Sequence, residues 1–140
     1  MSLRRLAAVV VVLTVVAAIG GLGRAKEDRS AYFPLKAAPG QHKSLLENEF
    51  VLVLDVSIPA GVTVPAHLHP WPAVFITLQP AHLVFRNLAD KVVREVRPPT
   101  GAVESPKVEW REPDAEPASV TNVDKNEMRA LRVELKFLGP

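Results

Sequence analysis

From Phe50 onward the chain keeps no helical period for long. It offers short runs of Val, Leu, Ile and Phe, cut every eight to twelve residues or so by Pro, Gly, Asn or Asp. The clearest run is "LRVELKF" (131–137). Its alternation predicts Leu131, Val133, Leu135 and Phe137 on a core face and Arg132, Glu134 and Lys136 on a wet one. "FVLVLDVSI" (50–58) is nearly continuous in apolar character, as in a strand buried on both faces. Further strands are predicted over 73–78, 81–87, 91–96 and 108–110, with "NLADK" as a hairpin turn because Asn87 and Asp90 tolerate turn dihedrals. Seven or eight short strands without an internal repeat indicate an all-β antiparallel sandwich or barrel.

At 140 residues the chain fits one domain with a core of its own. It has no cysteine, which excludes disulfides, a thiolate nucleophile and a sulfur-ligated zinc site. Residues 1–25 combine a positive start, an apolar run and small residues at Gly23 and Ala25. They read as a secretory signal cleaved after Ala25, the alternative being an uncleaved membrane anchor. Export places the domain in the periplasm or outside the cell, with the membrane a partner only through an uncleaved anchor. Arg4, Arg5 and Arg24 account for three of the 17 basic side chains, and the remaining 14 face 15 acidic ones. The mature chain is thus close to neutral, and no nucleic-acid partner is expected. Residues 26–48 carry Pro34, Pro39 and Gly40 without a period and read as a linker or arm, in which "YFP" could tuck two rings against the domain at 49–140.

"PAHLHPWP" (65–72) places two of the chain's four histidines one residue apart. On a strand, His67 and His69 would share a face about 6.5–7 Å apart at Cα, near enough to chelate one ion. Pro65, Pro70 and Pro72 cannot donate ladder hydrogen bonds, so this stretch belongs at a sheet edge or barrel rim. His82 is expected half-buried with one hydrogen bond, and His42 on the surface of the arm. Glu112, Asp114 and Glu116 read as a solvated acidic loop. No nucleophile elbow surrounds Ser119, and no glycine-rich phosphate loop is present.

"GVTVPAHLHPWPAVFITLQP" and "KVEWREPDAEPASVTN" resemble the two motifs of the cupins, small jelly-roll barrels. The first motif runs glycine, five residues, H-x-H, three or four residues, glutamate, six residues, glycine. Gly61, His67 and His69 match it, while Ala73 (or Val74) stands at the glutamate and Pro80 at the closing glycine. The second runs glycine, five residues, P-x-G, two residues, histidine, three residues, asparagine. Pro113 and Asn122 match, while Lys107, Ala115 and Ala118 replace the two glycines and the histidine. The chain is similar to short single-domain bacterial cupins over about residues 50–137.

That resemblance implies a jelly-roll β-barrel and, where the ligands are intact, iron, manganese, zinc or nickel held by three histidines and a glutamate. With Ala73 and Ala118 at two ligand positions, the expected site is incomplete and holds a metal weakly or not at all. It would bind a small molecule without catalysis, oriented by His67, His69 and Asn122 with Trp71 as a wall or lip. The competing expectation is a dioxygenase or isomerase in which Glu116 joins His67 and His69 on the metal. A homodimer is a third expectation, because cupins often pair edge strands.

Overall fold

The computed structural model describes residues 28–100 and 106–139; the signal or anchor segment expected over 1–25 lies outside them. Among the described residues no helix is long and apolar enough to cross a membrane. Within the described residues, a 3-10 turn (Ser30–Tyr32) and one short helix, α1 (Pro34–Ala37), lead into nine strands: β1 (His42–Glu47), β2 (Val51–Ile58), β3 (Thr63–His67), β4 (Ala73–Gln79), β5 (Leu83–Asn87), β6 (Val92–Val96), β7 (Lys107–Arg111), β8 (Ala118–Asn122) and β9 (Met128–Leu135). They build two antiparallel sheets in the orders β1-β2-β9-β4-β7 and β3-β8-β5-β6.

Side chains from both inner faces fill the space between the sheets. β2 contributes Leu52, Leu54, Val56 and Ile58, while Val51, Val53, Asp55 and Ser57 are only half-buried on its outer face. The strand is therefore one-sided, unlike the fully buried strand its composition predicts. Val64 from β3, Leu83 from β5, Val120 from β8, and Met128 and Ala130 from β9 complete the core. The predicted hairpin turn forms between β5 and β6. Asn87 Oδ1 accepts from the amides of Ala89 and Lys91, both at 3.0 Å, and Asp90 takes a left-handed φ of 59°. Gly61, at φ 74°, makes the tight link from β2 to β3, where a side chain would be strained.

Two expectations are corrected here, and both bear on the site. The arm predicted over 26–48 includes β1, which pairs antiparallel with β2, so its second half is part of the barrel. Ahead of it, the Phe33 ring packs on Trp71 at 5.7 Å, and Leu68 N–H donates to Tyr32 O at 2.9 Å. The arm therefore braces the histidine segment. On β9 the two faces are exchanged: Arg132 and Glu134 point into the barrel, whereas Leu131, Val133 and Leu135 are half-buried on the outside. The strand ends at Leu135, and the 3-10 turn Lys136–Leu138 leaves Phe137 exposed. Alternation fixes which residues share a face; it does not fix which face meets the interior when that interior is polar.

Candidate metal and ligand site

β3 lies at the edge of its sheet, as its prolines require, with an irregularity in its pairing between Val64 and His67. His67 closes the strand and pairs with Ala118 on β8, while His69 follows two residues later. A third imidazole, His42 from β1, joins them. One ring nitrogen from each of the three lies within 4.8 Å of the others, and the ring centroids are 4.7–5.3 Å apart. His42 is buried, which overturns its expected place on the surface.

The hydrogen bonds settle which nitrogen each ring presents. His42 Nδ1–H donates to Ala38 O at 3.1 Å and His67 Nδ1–H to Pro65 O at 2.8 Å. A carbonyl oxygen only accepts, so each of these Nδ1 atoms carries the proton and each Nε2 carries the lone pair. His69 Nδ1 meets Glu134 Oε1 at 2.5 Å, and the carboxylate imposes the same tautomer. Burial, aided by neighbouring positive charge, holds all three rings below the ordinary histidine pKa: His42 falls to about 4, and His69 lies well below its usual value. At neutral pH the cluster is three uncharged imidazoles with free Nε2 lone pairs, the ligand form.

Glu134 is fully buried beneath this cluster. Burial raises its pKa to about 7, while Arg132, whose Nε donates to Oε1 at 3.1 Å, favours the carboxylate. Glu134 stands directly across from Ala73 in the β4–β9 ladder. Cross-strand partners share a face. A carboxylate is thus present beside the position where the cupin motif has its glutamate, supplied by the neighbouring strand, and it orients His69. Likewise His42 supplies an imidazole that Ala118 does not.

The other sequence-predicted residues are placed elsewhere. Glu116 stays outside the imidazole cluster; its side chain is 81% exposed and pairs with Arg29 at 3.4 Å. Asp114 is exposed, yet its Oδ2 accepts from His69 N–H at 2.8 Å and its own N–H donates to His69 O at 2.9 Å, bracketing that residue. Asn122 is fully buried, and its side chain is consumed by the backbone: Nδ2 donates to Ile58 O and Asn126 O, both at 2.8 Å, and Oδ1 accepts from Asp124 N–H. It holds loops together and does not line the cavity. Trp71, half-buried, packs against Phe33 and the core. His82 makes the side-chain hydrogen bond expected of it, to Glu95 at 2.6 Å, away from the cluster.

The three histidines line a cavity of about 400 Å³. Ile58, Leu83, Val120 and Met128 form an apolar part of its wall, and Arg94, Arg111 and Arg132 reach it as well. Sequence reasoning placed His42 on the surface and missed Arg132 and Glu134. Only β9 carried a usable signal, because two charged residues in strict alternation with Val and Leu fit a polar interior as well as a wet surface.

No protein-family model matches the chain, and no curated protein does. Solved structures do. A cupin domain from Bordetella pertussis Tohama I is 20% identical, with a TM-score of 0.52, covering 68% of this chain and 91% of that one. An RmlC-like cupin family protein from Methanocaldococcus jannaschii is 10% identical over 67% of this chain and 77% of that one, with a TM-score of 0.46. A protein with a double-stranded β-helix domain from Klebsiella pneumoniae is 13% identical over 76% and 84%, also at 0.46. The two antiparallel sheets and the similarity to the Bordetella domain identify the fold of this chain as the cupin jelly roll.

Proposed function

We propose that this chain is an exported cupin that binds one divalent transition-metal ion through His42, His67 and His69 and presents the ion's open positions to a small molecule in the adjoining cavity. The single observation that carries this reading is the convergence of three buried imidazoles with their Nδ1 protons tied outward to Ala38 O, Pro65 O and Glu134. A metal–nitrogen bond of about 2.0–2.1 Å sets donors roughly 3 Å apart. Donors within 4.8 Å of one another reach that spacing by small side-chain rotations. Three neutral nitrogens with outer partners fixing their tautomers suit zinc, nickel, iron or manganese, and three protein ligands leave room for substrate, as catalytic sites require.

This favours the metal-dependent enzyme over the ligand-binding module without catalysis. When bound, the ion would supply Lewis acidity to a substrate oxygen. The chain's own part is to hold three lone pairs in place, keep them unprotonated at neutral pH and surround the substrate with apolar wall. Export is supported by the positive, apolar opening at residues 1–25.

The test is a Zn²⁺ titration of untagged protein stripped with EDTA. The expected result is one ion per chain, with affinity reduced at least about tenfold by His42→Ala and unchanged by Glu116→Ala. Binding that ignores His42→Ala would refute the three-histidine site.

A further inference from the structure

Two guanidinium groups face the cavity with donors to spare. Arg132 comes from β9; its side chain is 7% exposed, and its Nε is engaged by Glu134. Its Nη2 is buried with no hydrogen-bond partner. Folded proteins seldom leave a buried cationic donor empty, so such an atom beside a cavity marks where a ligand acceptor belongs. Arg94 approaches from β6 in the opposite sheet, with its guanidinium carbon 4.0 Å from the centroid of the Phe85 ring, and it forms no ion pair among the described residues.

The surrounding acids are already committed. Glu109 pairs with Arg111 and Lys107, both at 2.9 Å, and Asp114 accepts from His69 N–H. Arg94, Arg111 and Arg132 lie close enough that burial, with the charges of the other two, pushes the Arg94 pKa down. Among the described residues, the charged side chains lining the cavity are Arg94, Arg97, Lys107, Arg111 and Arg132 against Glu109, Glu112, Asp114 and Glu116. Five cations against four carboxylates leave one positive charge, which suits a monoanion. A planar carboxylate matches guanidinium donors in both geometry and charge.

We propose that Arg132 and Arg94 form a carboxylate subsite, and that the molecule taken into this cavity is a small monocarboxylic acid whose apolar body lies against Ile58, Leu83, Val120 and Met128. The inference rests on reading the cavity as the small-molecule pocket of the histidine site. It places the acid group on the arginines, leaving the rest of the molecule to face the imidazoles.

Calorimetry on the full chain stripped with EDTA, using hexanoate and its neutral analogue hexanamide, tests this. Hexanoate is expected to bind at least about tenfold more tightly than hexanamide. Arg94→Gln and Arg132→Lys, the latter keeping a cation beside Glu134, each reduce that preference, and Arg94→Gln still takes up Zn²⁺ like the parent protein. Equal affinity for the two probes, no hexanoate binding at all, or a preference that survives both substitutions overturns the proposal. Hexanoate binding that requires Zn²⁺ and ignores Arg94→Gln also overturns it, assigning the carboxylate to the metal and leaving the histidine site intact. Hexanoate preference in a protein that takes up no Zn²⁺ supports the arginine subsite and removes the metal instead.

Discussion

Replacing Glu134 by alanine tests the polar interior of the barrel most severely. The carboxylate is fully buried and accepts from Arg132 Nε at 3.1 Å and from His69 Nδ1 at 2.5 Å. Without it, a guanidinium on a side chain only 7% exposed loses its counter-charge. Breaking a buried pair from one side costs about 3–5 kcal/mol. The low end applies, and because burial raises the Glu134 pKa from 4.5 to about 7, the loss is larger below neutral pH than above it, where the ionised carboxylate is itself costly to bury; about 3 kcal/mol is expected at pH 6. At roughly 4 °C per kcal/mol for a domain of this size, the melting temperature falls by about 12 °C or more. Urea unfolding followed by circular dichroism, with the metal-free protein at pH 6, measures it. The double variant Arg132→Met with Glu134→Met removes both charges and should recover most of the loss. Glu134→Ala costing less than about 0.5 kcal/mol, or a double variant no more stable than the single, would refute the view that this pair faces a dry interior.

Further outcomes follow from the same geometry. The folded pKa of His42, about 4, lies below the unfolded value of 6.5, so the folded state binds fewer protons between them. That contribution, on the order of 3 kcal/mol, is present above pH 6.5 and is lost as pH falls toward 4; His67 and His69 act in the same sense. Glu134, raised from 4.5 to about 7, acts oppositely, its contribution being present below 4.5 and lost as pH rises through 7. Metal-free stability should therefore rise from pH 4 to about 6.5, with a shallower slope in His42→Gln; an unchanged slope counts against the burial of that ring. Asn122→Ala should destabilise by about 2–3 kcal/mol through three lost backbone hydrogen bonds, while leaving Zn²⁺ stoichiometry at one; a lost metal site would give Asn122 a role the structure denies it. Because Ala118 lies opposite His67 and lines the cavity, Ala118→His should add a fourth imidazole and tighten Zn²⁺ binding in calorimetry. Weaker binding would show that residue 118 faces away from the ion.

The strands were legible because their periods and breakers are local. The runs at 50–58, 73–78, 81–87 and 91–96 correspond to β2, β4, β5 and β6 with boundaries shifted by a residue or two. β1 was not legible: only His42 of its six residues is buried, so no alternation marks it. The two registers that govern the site are long-range, pairing Ala73 with Glu134 and His67 with Ala118. The motif spacing put Ala73 and Ala118 at the positions where the resemblance expects a glutamate and a histidine. It had no way to reveal that β9 and β1 bring a carboxylate and an imidazole back to the same spot. The misplacement of Arg132 and Glu134 has the same root, since a charged face on a strand looks wet until its partners are known.

X-ray absorption at the zinc edge of the Zn²⁺-loaded protein counts the imidazoles on the ion directly. Three nitrogen ligands of imidazole type at about 2.0–2.1 Å, falling to two in His42→Ala, are the predicted result. A shell of two imidazoles that is identical in the parent and in His42→Ala would contradict a centre assembled from β1 and the β3 edge.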